Sequence, residues 1–435
     1  MGATSKSLTF TLILMVSFSC LIMIDLIPLG LAQSGTKVSG NISLDTTWTQ
    51  AGSPYTLTGS VVINNGVTLT IEEGVTVNLG LSDLQINGTL NVRGSFDHKV
   101  TFNSEYTDMR PFFGSITSYS SSCIIENAIV HTAQINCYNS IVLNNDVIDN
   151  SEISIWTGKA IISSNDLINV GIISRGITTF SGNSYICSPS ELSLSVEGRI
   201  LIQSGSAVIY NNTINMGNLS INFVAISIGN CPAIITDNII SNCSNNNSDC
   251  GITGSGGFYT IERNIIEYNS IGIQLSSANG LVTNNTVTDN SIGLNIIEPT
   301  KQTVNVSNNN IYGNSVSNFY LGAISNNISP SSSINIDAAN NWWGTTNQTA
   351  IGTSIYDKHD NPNLGTVNFV PYLTSLNVQA TPNPNMPIPT PQPTATSSPL
   401  SPTPTVPEFS WLAIIPLFFY MLSVALLLRH RKTKK

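Results

Sequence analysis

The sequence predicts an all-β solenoid, a single-stranded parallel β-helix, on three observations. Only 9% of the 435 residues are charged, far below the quarter usual for a cytosolic globule, while 52 are Asn. The surface is therefore solvated by neutral hydrogen-bonding groups. The apolar residues form short β-branched runs broken by Gly and Asn, without the longer 3.6-residue patterns of helices. An Asn-centred motif also recurs along the body.

Taken at Asn127, Asn145, Asn165, Asn183, Asn212, Asn238, Asn264, Asn285 and Asn309, the motif carries an apolar residue three places back and two forward. The first two repeats read Ile124, Asn127, Ile129 and Val142, Asn145, Val147, and the last Val306, Asn309, Ile311. A repeat of about two dozen residues with short strands and tight turns suits one coil of a β-helix, and coils would stack about 4.8 Å apart. The flanking residues then fill the interior. The anchor Asn is expected at a corner, in the left-handed conformation that Asn tolerates, with its amide bonded to the next coil.

The elements follow in chain order. Lys6, the apolar run from Leu8 and the small residues Gly30-Leu31-Ala32 read as a signal peptide over 1–32, so the protein is expected to be exported. A lead-in over 33–55 precedes the β-helix with its two caps, 56–376. Residues 377–407, rich in Pro, Thr and Ser, cannot build a core and read as a stalk. Residues 408–428 are long and apolar enough to cross a hydrocarbon core. The basic tail 429–435 would keep the C-terminus cytoplasmic, which makes a membrane one expected partner. Between residues 33 and 407, 23 acidic side chains oppose 10 basic ones, a net −13; a nucleic-acid partner is excluded for lack of a basic face.

Several segments resemble the right-handed parallel β-helix repeat family of the pectin-lyase-like fold group. Leu69-Thr70-Ile71-Glu72-Glu73-Gly74-Val75-Thr76-Val77, Leu84-Gln85-Ile86-Asn87-Gly88-Thr89-Leu90 and Val100-Thr101-Phe102 look like its opening coils. Asn340-Asn341-Trp342-Trp343-Gly344, Ile355-Tyr356-Asp357 and Val370-Pro371-Tyr372-Leu373 look like its closing segment, with Trp342 and Trp343 hiding the last apolar rung. The resemblance implies a right-handed helix. Pro407-Glu408-Phe409 with the span and basic end is similar to archaeal sorting tails that are cut and replaced by a lipid; a plain transmembrane anchor is the alternative.

The fold group includes polysaccharide lyases and epimerases, but fold does not decide chemistry. A calcium-assisted enzyme needs clustered carboxylates and a base. Asp146 and Asp166, each one place after an anchor, are expected to stack on adjacent coils as candidate Ca²⁺ ligands, with Asp149 nearby and Arg175 and Lys159 within reach in sequence. The alternative is a pair of solvated turn aspartates. Asp237 and Arg263 are expected to form an exposed ion pair of small weight, and Trp156 reads as core or as a sugar-stacking face. His98, His131 and His359 are too scattered to propose a triad or a zinc site.

Once Cys20 leaves with the signal, Cys123, Cys137, Cys187, Cys231, Cys243 and Cys250 remain, an even number that permits disulfides. Candidate glycosylation sites are Asn41, Asn87, Asn211, Asn218, Asn242, Asn246, Asn284, Asn305, Asn327 and Asn347. The expected function is a non-catalytic cell-surface module, structural, adhesive or binding a polysaccharide or cell-envelope glycan. A calcium-dependent polysaccharide lyase or uronate epimerase is the alternative.

Overall fold

The computed structural model describes residues 35–105, 114–187, 199–217, 224–244, 248–297, 304–322 and 335–386. The signal-peptide, membrane-span and basic-tail readings, residues 387–407 of the stalk, and Asn218, Asn246 and Asn327 lie outside these residues. Among the described residues no helix is long and apolar enough to cross a membrane.

The described chain is a parallel β-helix with three faces. Fourteen strands, from Thr46–Trp48 to Val367–Asn368, stack as the first face. A second ladder runs from Thr76–Gly80 through Ala128–His131 to Asn310–Tyr312, and a third from Asp83–Ile86 through Glu152–Ile155 to Ile355–Tyr356. The long strand Tyr55–Ile63 bends across both, pairing with Thr76–Gly80 at one end and Asp83–Ile86 at the other. Strand Thr36–Ile42, within the predicted lead-in, pairs in turn with Tyr55–Ile63.

The interior follows from alternation along each strand, which sends every second side chain inward. On the first face Ile125, Leu143, Ile162, Phe180, Ile209, Ile235, Ile261, Val282 and Val306 are in register and buried. The facing row on the second strand ladder runs Val130, Ile148, Leu167, Tyr185, Ile214, Ile240, Ile266, Val287 and Ile311. From Asn165 onward these are the flanks of the repeat. In the first two repeats the frame is one residue off: Ile124 is exposed and Ile129, Val142 and Val147 are only partly buried, while Ile125, Val130, Leu143 and Ile148 point inward. A slip of one residue turns every side chain to the opposite side.

The first corner, between the first and second faces, explains the slip. The left-handed residue there is Asn127, Asn145, Ser164, Gly182, Asn211, Asp237, Arg263, Asn284 and Asn308 in successive coils. The inward amide is the next residue. Hence Asn165, Asn183, Asn212, Asn238, Asn264, Asn285, Asn309 and Asn341 form one buried ladder, whereas Asn127 and Asn145 occupy the turn position before it. In each rung from Asn165 to Asn309 the backbone N–H and Nδ2 both donate to the Oδ1 of the following rung; Asn238 does so to Asn264 at 2.9 Å each. The same Nδ2 also donates back to Ile209 O at 3.0 Å. Every polar atom of a buried amide is thereby satisfied without charge.

At the C-terminal end Trp343 is buried in the same core as Ile351, Leu364 and Val367 and meets the Phe369 ring edge-on, with centroids 6.5 Å apart. Trp342 is partly buried and pairs with Asn310. Residues 377–386 retrace the body instead of leaving it. Asn377 N donates to Asn310 Oδ1 at 2.8 Å, Thr286 Oγ1 to Ala380 O at 2.6 Å, and Asn383 N to Asp237 Oδ1 at 2.9 Å. Polar side chains along the coil corner give this Pro- and Asn-rich segment its partners, which composition alone does not reveal.

Candidate functional site

The four predicted catalytic residues go to three different places. Asp146 is the first rung of the inner ladder, 1% exposed. Its Oδ1 accepts Ala128 N–H at 2.7 Å and its own N–H donates to Asn165 Oδ1 at 2.8 Å, as in any Asn rung. Its Oδ2 is buried without a hydrogen-bond partner. Burial pushes the carboxyl well above the usual carboxylate range, against the opposing pull of the Ala128 N–H and of Lys99. A neutral acid placed where later rungs have Nδ2 can donate as the amide does. Asp146 is thus a ladder member facing the core, and its predicted stacking with Asp166 does not occur.

Asp166 is exposed on the second face, in register with Val147. Asp149 lies on the same face one coil earlier, in register with His131, and the His131 Nδ1 to Asp149 Oδ2 distance is 2.7 Å. This His and Asp pair, 18 residues apart, is hidden among scattered histidines in linear sequence because its members meet only one coil apart. The same outward row continues through Asn103, whose Nδ2 donates to Asn78 Oδ1 at 3.2 Å, and Asn78, whose Nδ2 donates to Thr56 Oγ1 at 3.3 Å. Among the described residues no three His, Cys, Asp or Glu side chains converge to hold a metal ion.

Arg175 stands apart from these carboxylates, at the third corner between the third and first faces. Its guanidinium carbon is 4.5 Å from the centroid of the Trp156 ring. Trp156 stacks on Tyr138, centroids 6.0 Å apart and planes at 11°, and Tyr138 on Tyr119 at 4.8 Å and 16°. Trp156 is 37% exposed, yet one ring face meets Tyr138 and the other Arg175. It is neither core nor a free sugar platform.

Two of the structural expectations are also revised. Asp237 and Arg263 do stack, but the side chains are only 5% and 7% exposed. Arg263 Nε and Nη2 donate to Asp237 Oδ1 and Oδ2 at 2.8 and 2.9 Å, and Nη1 lies 2.8 Å from Glu262 Oε1; Asn383, from the returning segment, donates to the same Asp237. The six cysteines are thiols on inward positions, with no disulfide among them. Burial pushes Cys123 and Cys250 up to about 12 and Cys137 and Cys187 up to about 11, so they are neutral and poorly nucleophilic. Of the sequon residues, Asn41, Asn87, Asn211, Asn305 and Asn347 are exposed, while Asn242 and Asn284 are half-buried in side-chain hydrogen bonds.

The second corner, between the second and third faces, opens a groove of about 570 Å³ across the coils of residues 242–315. Its rim carries Asn242, Ser244, Asp289, Ser291 and Ser315 around Tyr268, which is 51% exposed. Tyr268 and Asp289 occupy the left-handed corner positions of successive coils, φ 58° and 55°. That conformation turns both side chains outward, while the following residues Asn269 and Asn290 form a second inward amide pair. The groove is therefore lined by hydroxyls, three amides, one carboxylate and an aromatic ring.

No family model matches the chain, and no curated protein matches it. Among solved structures, a mutant of the periplasmic alginate epimerase AlgG is similar at 11% identity with a TM-score of 0.43, over 72% of this chain and 77% of that one. AlgG itself is similar at 12% identity with a TM-score of 0.40, over the same shares.

Proposed function

We propose that the β-helix is a non-catalytic carbohydrate-binding module of the cell exterior, taking an uncharged stretch of polysaccharide in the second-corner groove. The observation that carries this reading is the groove's lining. A volume of 570 Å³ lies within the range of small-ligand sites, about 300–1,000 Å³. Tyr268 offers apolar ring surface to the C–H face of a sugar, Asp289 accepts from sugar hydroxyls, and Ser244, Ser291 and Ser315 can donate or accept. The coil rise of about 4.8 Å is close to the length of one pyranose residue, so a chain lying along the axis would meet an equivalent position at each sugar.

The test is retention on a panel of neutral glycans. We expect Tyr268→Ala and Asp289→Asn each to weaken binding at least about tenfold, a loss of about 1.4 kcal/mol, with the circular dichroism spectrum unchanged. Undiminished binding by both variants would remove the groove from the reading.

One observation favours catalysis as a second reading: the His131 and Asp149 pair on an exposed face, with Asp166 on the next coil. A hydrogen-bonded imidazole and carboxylate can move a proton next to a uronate carboxyl. An assay on polyuronates with and without calcium, for unsaturated products absorbing in the ultraviolet or for altered epimers, separates the readings. Activity lost in His131→Ala would establish the enzyme.

A further inference from the structure

We propose that the third corner holds an oxyanion site, formed by Arg175 and Lys159, for a carboxylate or sulfate group carried on a carbohydrate chain. A groove of about 460 Å³ opens there, and its two charged lining residues are both cations. This is unusual on a body whose net charge from 33 to 407 is −13 and which has only ten basic residues in that span. No carboxylate among the described residues forms an ion pair with either one. What sets these two cations apart is that both line one concavity.

The concavity is fixed by the backbone. Its floor is Gly158, Gly176 and Gly205, one from each of three successive coils. A Cβ at Gly158 would sit 1.6 Å from Asn139 O, one at Gly176 2.6 Å from Gly158 O, and one at Gly205 2.1 Å from Gly176 O. No side chain can fill the floor while the coils keep their spacing. Asn139, Ser140 and Thr157 add neutral hydrogen-bonding groups to the wall.

Arg175 is also held in place. With its guanidinium 4.5 Å from the Trp156 centroid, and Trp156 stacked in turn on Tyr138, one face of the fork is covered. Its N–H edge remains the direction of recognition. A planar fork so held matches two oxygens of one carboxylate or sulfate, and Lys159 adds a mobile ammonium. The exposed rings of Tyr119, Tyr138 and Trp156 continue along the corner for the rest of a chain. The carbohydrate carrier rests on the reading given above, but the oxyanion site does not.

The test uses the full chain against three polymers: neutral dextran, carboxymethyl-dextran and dextran sulfate. We expect at least one charged dextran to bind more tightly than the neutral one, with affinity falling as salt rises. Arg175→Ala with Lys159→Ala should reduce that binding at least about tenfold, and Arg175→Lys should weaken it while keeping the charge. The carboxylate and sulfate arms show which group is preferred. Tyr268→Ala should leave charged-polymer binding intact, and the Arg175 and Lys159 variants should leave neutral-glycan binding intact, so each site fails separately. Equal binding of charged and neutral polymers, or undiminished charged-polymer binding by the double variant, would overturn the site.

Discussion

The first and third corners stack equivalent side chains along the same axis and do so in opposite ways. At the first corner the rungs are amides, sealed inside, each accepting from the rung before and donating to the rung after. At the third corner they are Tyr119, Tyr138 and Trp156, packed face to face and wetted at their edges. Each stack ends in an ionisable residue. Asp146 ends the inner ladder at its N-terminal side as a buried acid whose carboxyl is pushed above the usual range, and Arg175 ends the outer one as a cation over a ring. Both avoid repeating a charge from coil to coil, where like charges would lie about 4.8 Å apart and repel. The inner ladder depends on hydrogen bonds that have no substitute, the outer one on contacts that water can partly replace.

The largest expected effect breaks the inner ladder in its middle. Asn238→Leu removes the acceptor of Asn212 N–H and Nδ2, now at 3.0 and 2.9 Å, and the donor to Ile209 O and Thr236 O. An orphaned buried donor costs about 1–3 kcal/mol. With the Asn212 N–H orphaned and two carbonyls losing a donor, while Asn212 Nδ2 keeps Phe180 O and Tyr210 O, we expect a loss of about 3 kcal/mol by denaturant unfolding. A midpoint equal to that of the unsubstituted chain would show that these bonds contribute little.

How much of this was readable in sequence differs between the two corners. From Asn165 onward a single residue type repeats at one position with apolar neighbours in fixed places, so the inner ladder and its two core rows were legible. Before Asn165 the pattern misled, because Asn suits both the left-handed turn position and the inward position, for different reasons. Asn127 and Asn145 take the first, and Ala128 and Asp146 the second. Anchoring on Asn therefore moved Asp146 out of the core and beside Asp166. The outer stack, by contrast, is spaced 19, 18 and 19 residues from Tyr119 to Arg175, and the His131 and Asp149 pair 18. Those are coil lengths, but they stand at positions that a search for repeated Asn passes over. The second-corner and third-corner grooves depend on turn geometry and on glycine backbone contacts, which no spacing expresses.

Asp146→Asn sharpens the comparison at the end of the inner ladder. Because burial raises the folded-state pKa of Asp146 above its unfolded value, the folded protein binds the extra proton. Stability is then greatest below the unfolded carboxyl range, near pH 3.9, and falls as pH rises from there to the folded value. Asn offers the same donor at every pH. We expect the variant to match the parent at about pH 4 and to be more stable by about 1 kcal/mol or more at pH 7, the gap widening by at most about 1.4 kcal/mol per pH unit. Parallel stability curves across that range would mean that Asp146 is not held protonated.

The smallest effect concerns the outer stack. Tyr138→Ala removes the central ring, and with it one contact to Tyr119 and one to Trp156. Aromatic pairs contribute about 0.5–1.5 kcal/mol beyond area burial, and Tyr138 is already 39% exposed, so we expect a net cost of about 1 kcal/mol, well below that of Asn238→Leu. Tyr138→Phe keeps both ring contacts and loses only a hydroxyl, and should be close to neutral. The order of the three unfolding midpoints is the measurement. If Tyr138→Ala cost as much as Asn238→Leu, the rings would be part of the core's support and the distinction between a sealed and a wetted ladder would fail. If it cost about 1 kcal/mol and also lowered binding of the charged dextrans, the stack would instead be identified as the mount that holds Trp156, and through it the Arg175 fork, in place.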